Sequence, residues 1–119
     1  MNLFFCYEKC STCKKAKTFL EKNKIVYSER NIKENNPSYE ELKAWVEKYK
    51  IDIKKLFNTS GILYREMKLS DKMKLMSDEE KLKLLATDGM LVKRPLFITD
   101  NKILVGFKEK EWENIDEIN

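Results

Sequence analysis

The run "NLFFCY" (residues 2–7) passes almost at once, through Cys10, into "STCKKAKTFLEKN" (11–23). An aromatic, apolar segment bounded by charge reads as a buried strand. The segment after it reads as a helix, because Cys13, Ala16, Phe19 and Leu20 recur at helical spacing on one face. Cys10 and Cys13 therefore stand where a strand hands over to a helix. "KIVYSERNI" (24–32), β-branched and partly alternating, reads as a second strand. The β-α-β opening that results narrows the choice of folds more than any other feature.

The middle of the chain changes character. Ser38 and Glu41 match a capping box, and Tyr39, Leu42, Trp45, Val46 and Tyr49 make an apolar stripe, so 38–49 is expected to be a helix. "IDIKKLF" adds a short helix and "NTSG" (58–61) a turn. Residues 64–76 read as weakly helical. Ser77 and Glu80 form a second capping box ahead of Leu82, Leu84 and Leu85, with Gly89 as the expected helix stop. The end is β again: "PLFITD" and "KILVGF" are short strands joined through Asp100-Asn101. "KEKEWENIDEI" closes as a helix with Trp112 and Ile115 facing in. The predicted architecture is α/β, β-α-β then β-β-α, with a helical insertion at about 35–90.

Length and charge set the outer bounds. The 119 residues are expected to form a single domain, 1–119, large enough for a real core. The longest apolar runs, such as "LFI" (96–98), are far too short to span a bilayer, and "MNLFFCYEK" lacks the pattern of a signal peptide. A cytoplasmic location is expected, with no membrane partner. The net charge of +4 is interspersed, as in "KEKEWENIDEIN", which reads as a solvated surface with no direct nucleic-acid partner. Histidine is absent. That excludes Ser-His-Asp and Cys-His catalysis and every His-ligated metal site.

The cysteines admit several readings. A structural zinc site usually takes four Cys or His ligands, and this chain offers three Cys. Cys6, Cys10 and Cys13 also spell C-x3-C-x2-C, the spacing of radical-SAM clusters, yet Cys6 falls inside the first strand and the chain is short for such a barrel. Two inert, buried cysteines are a further alternative. The redox reading has the strongest physical case. A helix N-terminus carries partial positive charge and unpaired N–H groups, which favour a thiolate. Cys10 would sit exposed at the cap and attack. Cys13, one turn in and facing the core, would resolve the product by forming Cys10–Cys13. Lys9 and Lys14 add positive charge, and Cys6 is expected in the core.

Four stretches, "YEKCSTCKKAKTFLE", "FNTSGILYRE", "LLATDGMLVKRPLFI" and "VGFKEKEWE", run in order over nearly the full length. Together they resemble the arsenate-reductase-like (ArsC/Spx/MgsR) family of the thioredoxin superfamily. The resemblance implies a thioredoxin-like core with a helical insertion between its halves. It implies a cis-proline beside the reactive cysteine, a place that Pro95 fills. Cys10 then matches the attacking cysteine and Arg94 the arginine of the Arg-Pro pair. Arg65 matches a second anion ligand, and Asn58 and Ser60 of "NTSG" are candidates beside it.

Two departures bear on activity. The family's further arginine near the last strand is missing from "ILVGFK", which counts against arsenate. Cys13 gives the C-x-x-C found in Spx-type regulators and disulfide exchangers. The expected function is a thiol–disulfide oxidoreductase cycling through Cys10–Cys13, with a small oxyanion or disulfide as substrate. It would hold no bound cofactor or metal, and a thiol reductant such as glutathione or thioredoxin would renew it. The alternative is a redox-sensing regulator that binds the RNA polymerase α subunit.

Overall fold

The structure is a computed structural model and describes residues 2–113. The chain divides into two compact units, one made of the residues up to Asn31 with those from Arg94 on, the other of Ile32–Lys93.

The first unit holds the sheet. Strands β1 (Leu3–Cys6), β2 (Ser28–Asn31), β3 (Leu96–Ile98) and β4 (Ile103–Val105) lie in the order β2-β1-β3-β4. β1 runs parallel to β2 and antiparallel to β3, and β3 runs antiparallel to β4. This is the expected β-α-β and β-β-α order. In register, Phe4 faces Phe97 and Phe97 faces Leu104. That row packs with Ala16 and Leu20 of α1 (Ser11–Lys22) and Trp112 of α6 (Glu109–Trp112). Trp112 lies 5.4 Å from Phe97 and 5.1 Å from Phe107, centroid to centroid. Leu20 is fully buried, which contributes about 2 kcal/mol. Side chains alternate across a strand, so Phe5 and Leu96 belong to the opposite face, and both are also fully buried.

Local chemistry explains where these elements stop. α1 ends in a Schellman motif: Ile25 N–H reaches Leu20 O at 3.0 Å and Lys24 N–H reaches Glu21 O at 3.1 Å. Lys24 takes the left-handed position, φ 56°. The strand expected over 24–32 is therefore shorter. Residues 24–25 complete the helix cap, Val26 points outward, and strand pairing begins at Ser28. At the β3–β4 turn Thr99 Oγ1 accepts the N–H groups of Asn101 and Lys102, which closes the predicted hairpin.

The second unit is helical: α2 (Tyr39–Tyr49), α3 (Ile62–Glu66), α4 (Leu69–Lys72) and α5 (Asp78–Leu85), with 3-10 turns at Ile53–Leu56, Met73–Leu75 and Gly89–Leu91. Both capping boxes form. Ser38 Oγ accepts Glu41 N–H at 3.1 Å and Glu41 returns a carboxylate to Ser38 N–H at 3.0 Å. Ser77 and Glu80 do the same. An N-cap of this kind contributes about 1 kcal/mol at Ser38.

Two expectations are corrected here. The weak helix over 64–76 is three short pieces, broken at Lys68, whose φ of 55° is left-handed. Gly89 is not a helix stop. α5 ends at Leu85 with Ala86 as its cap, and Gly89 instead lies pressed against the Ile32 carbonyl, where a Cβ would meet the oxygen at 1.7 Å. The inward position read for Ile115 lies outside the described residues. Among the described residues, no helix is long and apolar enough to cross a membrane.

Candidate active site

Cys10 caps α1. Its backbone is extended (φ −99°, ψ 116°), its N–H donates to Tyr7 O at 2.9 Å, and its carbonyl accepts Lys14 N–H at 3.2 Å. The side chain is half-buried, at the open end of the helix. Cys13, in the first turn, is 3% exposed and packs with Ala16 and Leu20. Its sulfur accepts the Tyr7 N–H at 3.3 Å. All three cysteines are free thiols.

The two sulfurs of the pair have opposite electrostatic surroundings. Burial opposes ionisation of Cys10, but is outweighed by the Cys13 amide, the Cys13 thiol, the charge of Arg94 and the Thr12 amide, so its pKa is lowered. Amides at the open first turn of a helix favour a thiolate at its cap. For Cys13, burial outweighs the Tyr7 N–H and pushes the thiol up to about 12, with the Cys10 sulfur adding to the rise. Cys6 is buried in β1 as expected. Burial first, then the Glu29 carboxylate, hold it at about 11.

Arg94 precedes β3 through a cis peptide bond to Pro95. Pro95 O accepts the Gly106 N–H at 2.8 Å. Gly106 follows β4 with φ 73°, a conformation that suits glycine, and its carbonyl accepts Trp112 Nε1 at 3.2 Å. Gly106, between Val105 and Phe107, therefore anchors the proline. The Arg94 guanidinium lies 5.3 Å from the Tyr7 ring centroid, and its Nε and Nη1 are buried without a hydrogen-bond partner among the described residues.

The structure therefore places Cys10, Cys13 and Arg94 together within the first unit, with Pro95 next to Arg94 in the chain. Asn58, Ser60 and Arg65 belong to the second unit. Asn58 O accepts Gly61 N–H at 3.0 Å to form the turn into α3, and the Arg65 side chain is exposed on that helix. Lys9 and Lys14 are exposed, and Arg94 is the cation whose charge acts on Cys10. The sequence places Tyr7 only at the end of a strand, and no local pattern announces its contacts with Cys10, Cys13 and Arg94. Among the described residues, no group of three or more His, Cys, Asp or Glu side chains is placed to hold a metal ion.

Comparison with known proteins gives a consistent answer. The ArsC family model matches residues 5–115. The uncharacterized protein YusI of Bacillus subtilis (strain 168) is 53% identical over 110 residues, 92% of this chain and 93% of that protein. A crystal structure described as a possible arsenate reductase from Streptococcus mutans UA159 matches with a TM-score of 0.89 and 41% identity, covering 98% of each chain. Global transcriptional regulator Spx 2 of Bacillus anthracis is 25% identical over 111 residues, 93% of this chain and 83% of that protein.

Proposed function

The chain belongs to the ArsC family, and from that premise we propose that it is a thiol–disulfide oxidoreductase cycling through Cys10 and Cys13. The observation that carries this is the contrast between the two sulfurs. Cys10 is accessible and its thiolate is favoured, while Cys13 is buried and held as a thiol.

The cycle follows from that contrast. The Cys10 thiolate attacks one sulfur of a substrate disulfide. A Cys10–substrate disulfide forms and the other substrate sulfur leaves as a thiolate. Cys13 gives up its proton to that leaving thiolate or to water and attacks the Cys10 sulfur. The Cys10–Cys13 bond forms, the second substrate sulfur departs, and two electrons have passed to the substrate. A thiol reductant such as glutathione or a thioredoxin-like protein then restores both thiols. Arg94 helps at the first step, because its charge favours the Cys10 thiolate. A disulfide is favoured over arsenate as substrate, since Val105, Gly106 and Phe107 stand where the family's further arginine is expected.

Redox equilibration tests this. The protein is held in thiol–disulfide buffers, quenched by alkylation and mapped by peptide mass. Cys10 and Cys13 should oxidise together at one potential while Cys6 stays reduced. A protein that never forms the Cys10–Cys13 bond would sink the two-cysteine cycle.

The likeness to Spx 2 favours a second reading, a redox-sensing regulator that binds the RNA polymerase α subunit. Capture of that subunit by one redox form and not the other would support it. Equal failure of both forms would leave the oxidoreductase.

A further inference from the structure

Tyr7 touches three parts of the site at once. Its carbonyl accepts Cys10 N–H at 2.9 Å, its N–H donates to Cys13 Sγ at 3.3 Å, and its ring lies 5.3 Å from the Arg94 guanidinium carbon. The first two contacts are made by the backbone, and any residue could supply them. The third belongs to the side chain.

That third contact matters because of what Arg94 lacks. The backbone of the Arg94-Pro95 segment is fixed by the Gly106 N–H on Pro95 O. The guanidinium is not fixed in the same way: Nε and Nη1 are buried and have no hydrogen-bond partner among the described residues. An arginine side chain has several free torsions, and burial alone does not aim its head. A guanidinium over an aromatic face is held by the negative face of the ring, which needs no hydrogen bond. We propose that the Tyr7 ring is a positioning element that holds the Arg94 guanidinium where its charge acts on the Cys10 sulfur. This rests on the reading of Cys10 as the attacking thiol. It adds a residue whose side chain acts only through Arg94, and it makes the ring face the active feature rather than the phenol hydroxyl.

The experiment is an alkylation-rate profile against pH. Cys10 is followed by peptide mass after timed exposure to iodoacetamide, a neutral reagent. The reduced full-length proteins compared are wild type, Tyr7→Phe, Tyr7→Leu, Arg94→Ala and the double variant Tyr7→Leu/Arg94→Ala. Tyr7→Phe keeps the ring and should superimpose on wild type. Tyr7→Leu should move the midpoint toward higher pH and slow Cys10 several-fold on the acidic limb. In the Arg94→Ala background Tyr7→Leu should do nothing more.

Three results with the variants would overturn the proposal. Tyr7→Leu could leave the profile in place. Tyr7→Phe could behave like Tyr7→Leu, which would assign the effect to the hydroxyl. The shift could persist at full size without Arg94, which would assign it to the backbone around Cys10. An ordinary thiol midpoint in wild type would remove both this role and the attacking role of Cys10. A normal set of profiles with no Cys10–Cys13 disulfide in redox buffers would instead remove the two-cysteine cycle and leave the Tyr7 result standing.

Discussion

The Tyr7 N–H reaches the sulfur of Cys13 at 3.3 Å, and this sulfur is held as a thiol all the same. A hydrogen bond to sulfur favours the thiolate, but burial at 3% exposure outweighs it. The outcome is a nucleophile that waits. Cys13 cannot compete with Cys10 for the first attack, and it gains a target only when Cys10 carries a second sulfur.

Replacing either sulfur should therefore give opposite products. Cys13→Ser should accumulate a mixed disulfide on Cys10 when the protein meets a small disulfide, visible as a mass increase that persists. Cys10→Ser should give no adduct under the same conditions, because the remaining thiols are buried and protonated at neutral pH. An adduct on Cys13 in the Cys10→Ser protein would reverse the assignment of roles.

The thiols also set how stability of the reduced protein depends on pH. Burial holds Cys13 at about 12, and burial with Glu29 holds Cys6 at about 11. In the unfolded chain a thiol ionises at about 8.5. Both folded values lie above the unfolded one, so their contribution is full below that pH and is lost as pH rises toward 11 and 12. Cys10 has the opposite sign, its contribution being present above the unfolded value and lost as pH falls through the lowered one. The two raised groups dominate on the alkaline side, with a loss on the order of a few kcal/mol by about pH 11. Urea unfolding of the reduced protein at neutral and alkaline pH should show the loss. A Cys6→Ala/Cys13→Ala protein should lose much less. An equal loss in that variant would assign the effect to lysine and tyrosine titration.

The parts of this structure that were legible in the sequence are those written in local patterns. Cys10 at a strand–helix junction, the stripe of Cys13, Ala16 and Leu20, the two Ser-x-x-Glu boxes and the Asp100-Asn101 hairpin each lie within a few residues of chain, and each appears where it was expected. The illegible parts depend on backbone states or distant partners. Lys24 and Lys68 adopt left-handed conformations with no glycine to announce them, and so the second strand and the helix expected over 64–76 are both shorter than their patterns predict. Gly89 had the look of a helix stop, but it is required by the Ile32 carbonyl, far away in sequence. The Tyr7 ring meets Arg94, and no spacing connects the two.

Gly89 gives a steric prediction. Its φ lies outside the left-handed range, so strain is not the issue. The obstacle is space, since a Cβ would stand 1.7 Å from Ile32 O and 2.6 Å from Ile32 C, both backbone atoms. Backbone cannot yield as a flexible side chain does, so Gly89→Ala should destabilise the protein by more than about 2 kcal/mol. Thermal or urea unfolding would measure this directly. A neutral result would mean that the 3-10 turn at Gly89–Leu91 moves off Ile32 at little cost.

Lys24 gives the converse case. It holds the left-handed position of the Schellman motif that ends α1, where glycine is the usual residue. A side chain there costs about 1–2 kcal/mol. Glycine would relieve that cost but would free the unfolded chain by up to about 1 kcal/mol. The difference favours Lys24→Gly by about 0.5–1 kcal/mol. Lys24 is exposed, so little packing is lost. The β-branched Lys24→Val should move the unfolding midpoint the other way, because a second branch at Cβ crowds the left-handed state further. The Ile25–Leu20 contact that accompanies the motif stays in both variants, so the pair isolates the backbone effect. If the glycine variant melted below wild type, the Lys24 conformation would be no burden to the folded chain, and the end of α1 would have to be set by the burial of Ile25 alone.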